Sequence, residues 1–164
     1  MYSSKLLIIS LGCGLFGACA SLKEPVIKKD KSIDNFQYAI MPMTSSKVST
    51  TGAVYGNQTG VYGSTSTREV NPGALIEGFL LKRGMVILNE IQPQHKARTL
   101  MVRYGESGKR DVAGGLGGYT LEVTIVFTSA QTNEPVYFCT AEGQGSTEAD
   151  DIREAVERCL SGLN

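Results

Sequence analysis

His95 is the single histidine of the chain, and it sits between Gln94 and Lys96 just after Pro93. Any Ser-His-Asp relay would have to use it, yet a proline-led polar turn is a poor place to dry and orient a general base. The expectation is an exposed loop residue and no catalytic group. Zinc-type metal chemistry needs several His, Cys or carboxylate ligands converging on one point. Cys139 and Cys159 have no third soft ligand near them in the sequence, and Asp150-Asp151 reads as an acidic pair at a helix start. The run Gly114-Gly115-Leu116-Gly117-Gly118 would let backbone N–H groups approach a phosphate. A dinucleotide fingerprint, however, follows a strand and opens a helix, whereas this run leads into the strand-forming segment at Tyr119. Glu106, Lys109, Arg110 and Asp111 read as a solvated mixed-charge loop, without the fixed carboxylate pair that glycoside hydrolysis requires. No enzyme activity, metal or cofactor is expected; a binding or assembly module is, with a self-associating structural subunit, and after it a hydrolase, as the alternatives. Tyr55 and Tyr62 remain as candidate partner-binding residues, because aromatic side chains on a small-residue scaffold make binding anchors at little entropic cost. The alternative is that they pack back on the domain.

Cys19 offers a different chemistry. Lys5 precedes an apolar run from Leu6 to Phe16, which is followed by small residues and then the cysteine, the layout of a secretory leader. The run is well short of the roughly 20 residues that span a bilayer as a helix. Leu15-Phe16-Gly17-Ala18-Cys19 resembles the bacterial lipobox, with Phe16 in place of the commoner leucine. Cys13 fits less well, because Ser10 occupies its apolar position. The resemblance implies removal of residues 1–18 and acylation of the Cys19 thiol, so that membrane lipid becomes a partner of the chain. An ordinary leader with an incidental cysteine is the alternative. Each buried acyl methylene contributes about 0.8 kcal/mol to membrane affinity. Residues 19–33 are polar, carry Lys23, Lys28, Lys29, Asp30 and Lys31, and show no periodicity. They read as a flexible lipid-anchored tether with a reach of roughly 20 Å.

Sixteen basic and sixteen acidic residues cancel, leaving no basic stripe, so nucleic-acid binding is not expected. Residues 34–164 are enough for a single domain with a single core. Cys139 falls in an expected strand and Cys159 in an expected helix, so two buried free thiols are expected; an oxidising compartment would permit the alternative, a disulfide.

The elements that must position these residues follow from periodicity. Residues 36–43 form an apolar run ending near a proline, which suits a buried strand. Residues 44–70 are an insertion of Ser, Thr, Gly, Val and Tyr, either a hairpin turning near Asn57-Gln58 or a mobile low-complexity loop. Asn71-Pro72 is a helix start, Leu75, Ile76, Phe79 and Leu80 form an apolar face, and Gly84 is the stop. Met85 to Leu88 reads as a short central strand, and Thr99 to Tyr104 as another, followed by a loop over 105–118. Tyr119 to Thr128 alternates almost without fault and pairs with Val136 to Ala141 through a turn at Thr132-Asn133-Glu134. A last helix starts near Ser146-Thr147 and buries Ala149, Ile152, Ala155, Val156, Cys159 and Leu160. The expected fold is of the α/β class, α+β type. It has a mixed or antiparallel sheet of four to five strands, with both helices on one face.

This order of elements, with Leu81-Lys82-Arg83-Gly84, the hairpin from Tyr119 to Ala141 and the closing Ala155-Val156-Glu157-Arg158-Cys159-Leu160, resembles small bacterial envelope lipoproteins. It is similar to the periplasmic domain of the curli-secretion lipoprotein. It is also similar to the amino-terminal domain of the Tol-system translocation protein and to the lipoprotein activators of penicillin-binding proteins. The likeness covers residues 34–164. It implies a docking or assembly role in the cell envelope; a protein or glycan partner and an outer-membrane location are separate expectations. It carries over no catalytic residues.

Overall fold

A computed structural model describes residues 22–41, 45–57, 60–112 and 118–163, with residues 51–57 and 60–65 described by backbone alone. In chain order the elements are β1 (Val26–Lys29), β2 (Tyr38–Ile40), β3 (Lys47–Asn57), β4 (Gly60–Val70), α1 (Pro72–Lys82), β5 (Val86–Leu88), β6 (Thr99–Asp111), β7 (Tyr119–Ser129), β8 (Pro135–Gly143) and α2 (Glu148–Ser161). Short 3-10 turns occupy Ile33–Asn35 and Pro93–Arg98.

The expected α+β class with a mixed sheet is what forms, but the sheet has six strands, in the order β1-β8-β7-β6-β2-β5. The β6, β7, β8 and β1 neighbours run antiparallel, and β2 pairs parallel with both β5 and β6. The added strand is β1, inside the segment read as tether. All four of its residues are exposed, so it has no apolar alternation to betray it. Its ladder to β8, from Val26 opposite Thr140 to Lys29 opposite Tyr137, is what holds it. Ile33, at the end of the expected tether, is a core residue.

Two further expectations are corrected. β5 is an edge strand, not a central one, and Val86 is correspondingly exposed; a three-residue apolar run carries too little pattern to distinguish the two. The loop expected from Gly105 is instead the outer half of β6, paired with β7 as far as Asp111 opposite Tyr119, with an irregularity between Glu106 and Gly108. Glycines and charges hide a strand whose outer half is largely solvated, because neither inward apolar residues nor alternation mark it. Most of the glycine run, residues 114–117, lies outside the described residues.

The insertion forms a two-stranded sheet of its own, β3 with β4, in register from Lys47 opposite Val70 to Asn57 opposite Gly60. Its base is rooted on the start of α2. Ser49 Oγ accepts from the Ala149 N–H at 3.1 Å, and Arg68 pairs with Asp150 at 3.1 Å.

Both helices cap and pack as their sequences direct. The Asn71 side chain accepts from the Ala74 N–H at 3.1 Å, Pro72 opens α1, and Gly84 ends it with φ +78°, a conformation that favours glycine. Thr147 caps α2 by accepting from Asp150 N–H at 3.2 Å, and Glu148, Asp150 and Asp151 crowd the positive end of its dipole. Ile76 and Leu80 of α1, with Ile152, Ala155 and Val156 of α2, meet Leu121, Val123, Ile125 and Phe127 of β7 in one core. At Gly143 the end of β8 comes so close to α2 that a Cβ there would lie 1.9 Å from the Asp151 carbonyl oxygen.

The expected free thiols are not found: Cys139 and Cys159 form a disulfide, with Cα atoms 5.6 Å apart. A strand and a helix are no obstacle to pairing, because α2 lies directly over β8 and both residues point into the layer between them. Each is fully buried.

Candidate functional site

One cluster fastens the amino-terminal segment to the body. Glu142, 3% exposed near the end of β8, accepts two hydrogen bonds from the Arg110 guanidinium at 2.8 and 2.6 Å. It also accepts the Lys23 backbone N–H at 3.0 Å, with the Lys23 ammonium 3.6 Å away. Arg158 of α2 closes the arrangement by donating to the Glu142 and Lys23 carbonyl oxygens, each at 2.7 Å. The hydrogen-bonded Arg110 lowers the Glu142 carboxyl to about 2, with the Lys23 N–H adding to the effect against burial. Arg110 and Lys109 are therefore not loop charges: Arg110 binds Glu142 and Lys109 pairs with Glu148 at 3.1 Å.

A carboxylate held this low stabilises the fold fully above its ordinary value of 4.5 and loses that contribution as pH falls toward about 2. Glu142→Gln is therefore expected to be less stable than the parent at neutral pH, with the gap closing as urea melts are repeated down to acid. Asp151 works in the opposite sense, because burial raises its carboxyl. Present in both proteins, it drops out of the difference. A gap that stays constant across the acid range would refute the assignment.

The second feature is a groove. Ala39, Leu100, Val102 and Phe127 face the helices, so Ile40, Met101, Arg103 and Thr128, one residue out of phase with them, share the opposite sheet face. Ile40, Met101 and Thr128 stand in one row across β2, β6 and β7. With Met41 and Ile91 they line an open cavity of about 680 Å³, and Asn89, Arg103 and Asn133 supply polar groups at it. Asn133 takes φ 59° in the β7–β8 turn, within the Thr132-Asn133-Glu134 turn expected from the sequence. Thr128 is 4% exposed, and its Oγ1 has no hydrogen-bond partner among the described residues. Arg103 is exposed, and its side chain has no ion pair or hydrogen bond among the described residues.

The sequence candidates lie elsewhere. Cys19 is outside the described residues. Tyr55 and Tyr62 stand directly opposite each other in the β3–β4 register, and their side chains lie outside the described part. His95 is not the exposed loop residue expected. Its ring lies against Tyr38, with centroids 4.3 Å apart, and its Nδ1 is buried without a hydrogen-bond partner among the described residues. No group of three His, Cys, Asp or Glu among the described residues could hold a metal, and no described helix is long and apolar enough to cross a membrane. Sequence reasoning missed both the Glu142 cluster and the groove. The available signal was an apolar residue, Met101, interrupting the polar Thr99 and Arg103 phase of a strand whose other face is apolar. No family model, curated protein or solved structure matches this chain.

Proposed function

We propose that the chain is a bacterial envelope lipoprotein, lipidated at Cys19 and held at the outer membrane, whose domain acts as a non-enzymatic binding or assembly module. The observation that carries the reading is the buried Cys139–Cys159 disulfide, because such bonds form and persist in exported proteins and are rare in a reducing cytosol. The disulfide is independent of the leader and the lipobox-like Leu15-Phe16-Gly17-Ala18-Cys19, and it favours the same compartment. A binding role is supported by the apolar groove with Arg103, unpaired among the described residues, and by the separate β3–β4 sheet with Tyr55 opposite Tyr62. The likeness in element order to envelope docking domains leads the same way.

Mass spectrometry of the native mature chain is the test. The expected amino terminus is an acylated Cys19, and Cys19→Ala is expected to wash free of membranes without detergent. A mature chain beginning elsewhere would sink the reading. The hairpin is tested by joining Thr51 to Ser66, which are paired, through Asn-Gly; this keeps the Ser49 and Arg68 contacts with α2. The trimmed protein is expected to melt like the parent and to lose its in-cell crosslinked neighbours. Unchanged neighbours would remove the hairpin from the proposal. A second reading, self-association into a structural subunit, draws on the open edge at β1, where Val26 is 63% exposed. Lys28 and Lys29 on that same strand disfavour edge-to-edge pairing.

A further inference from the structure

We infer that the groove on the sheet face opposite α1 and α2 binds a free, straight-chain aliphatic carboxylic acid, with Arg103 taking the carboxylate and the apolar floor taking the chain. This rests on the binding-module reading and names its ligand class. The volume of about 680 Å³ lies within the range of small-molecule sites. The floor is Ile40, Met41, Ile91 and Met101, and two flexible thioethers among four side chains suit a chain without fixed shape.

The polar groups select the head. Arg103 lines the groove with its guanidinium unpaired, and no acidic side chain lines it among the described residues, so an anion meets a cation and no like charge. One guanidinium, with no second cation in the lining, matches a monoanion that takes two parallel N–H bonds, the fork geometry of a carboxylate. Thr128 lines the groove, and its hydroxyl, buried and without a partner among the described residues, would gain one by a χ1 turn toward an entering acceptor. Leaving such a group unpaired is costly, and the cost is relieved on binding.

An extended peptide is disfavoured by the backbone. Strand addition needs a free sheet edge. The groove is floored by β2, bonded to β5 and β6, and by β6, bonded to β2 and β7, so its ladder groups are already used. Recognition therefore falls to side chains, and an aliphatic chain needs nothing more.

The test is photocrosslinking with a decanoic-acid analogue carrying a mid-chain diazirine. It is applied to the full chain in whichever cell fraction holds it, and adducts are mapped by mass spectrometry. Labelling of Met41, Met101 or Ile91 is expected. Arg103→Gln is expected to lower that labelling about tenfold with unchanged melting, and Thr128→Val roughly threefold with a melting temperature no lower than the parent's. The methyl ester of the probe, which keeps the chain and loses the charge, is expected to label no better than background. Adducts confined to other surfaces, or equal labelling by acid and ester, would overturn the inference. So would an Arg103→Gln protein labelled like the parent. None of these outcomes depends on whether Cys19 is acylated, so the anchor and the ligand stand or fall separately.

Discussion

Ile152→Asp is expected to yield no folded protein. Ile152 is fully buried in the α2 face that covers the sheet, within a largely aliphatic core. Losing the burial of the isoleucine costs about 2–3 kcal/mol, and an unpaired charge in its place adds several more. A domain of this size holds only about 5–15 kcal/mol in all. Circular dichroism and hydrogen exchange of the purified variant are the measurements, with Ile152→Leu as the control expected to cost less than about 1.5 kcal/mol. An Ile152→Asp protein that melts with the parent would mean that α2 does not present this face to the core.

The second large effect is loss of the disulfide. Replacing Cys139 and Cys159 together with alanine opens a loop closed by residues 20 apart in sequence. For a loop of that length the cost is about 3 kcal/mol, which for a domain of this size lowers the melting temperature by about 10 °C. Because both sulfurs are buried under α2, reductant alone is expected to act slowly, and quickly once mild denaturant lifts the helix. Calorimetry of the double variant, with and without reductant, reads both effects. A midpoint within about 2 °C of the parent would show that the bond contributes little to the native fold.

The parts of this fold that were legible in the sequence are those where one face is buried and the other is wet. β7 alternates from Tyr119 to Ser129, and α2 repeats its apolar residues at helical spacing, so both could be placed closely from pattern alone. Asn71-Pro72 and Gly84 bracketed α1 through capping chemistry that is local by nature. The segments that were misread lack this contrast. β1 is exposed on all its residues and is held by backbone bonds to a strand more than a hundred residues away, which no window along the chain can detect. The outer half of β6 is a solvated ribbon. The candidate site was illegible for a related reason: Ile40, Met101 and Thr128 become a row only once three strands are laid side by side. The cysteine pair was misjudged because element type was weighed where layer contact decides.

The latch at Glu142 also determines how a pull on the amino-terminal end travels through the molecule. Tension entering at Lys23 divides between its hydrogen bond and ion pair to Glu142 of β8 and the Arg158 bond to α2 before it reaches the β1 ladder. Beyond that ladder, Cys139 carries the load across a covalent rung into Cys159 on the last helix. The first and final parts of the polypeptide thus share one mechanical joint. A force that would peel a lone edge strand is spread over the sheet and the helix packed on it.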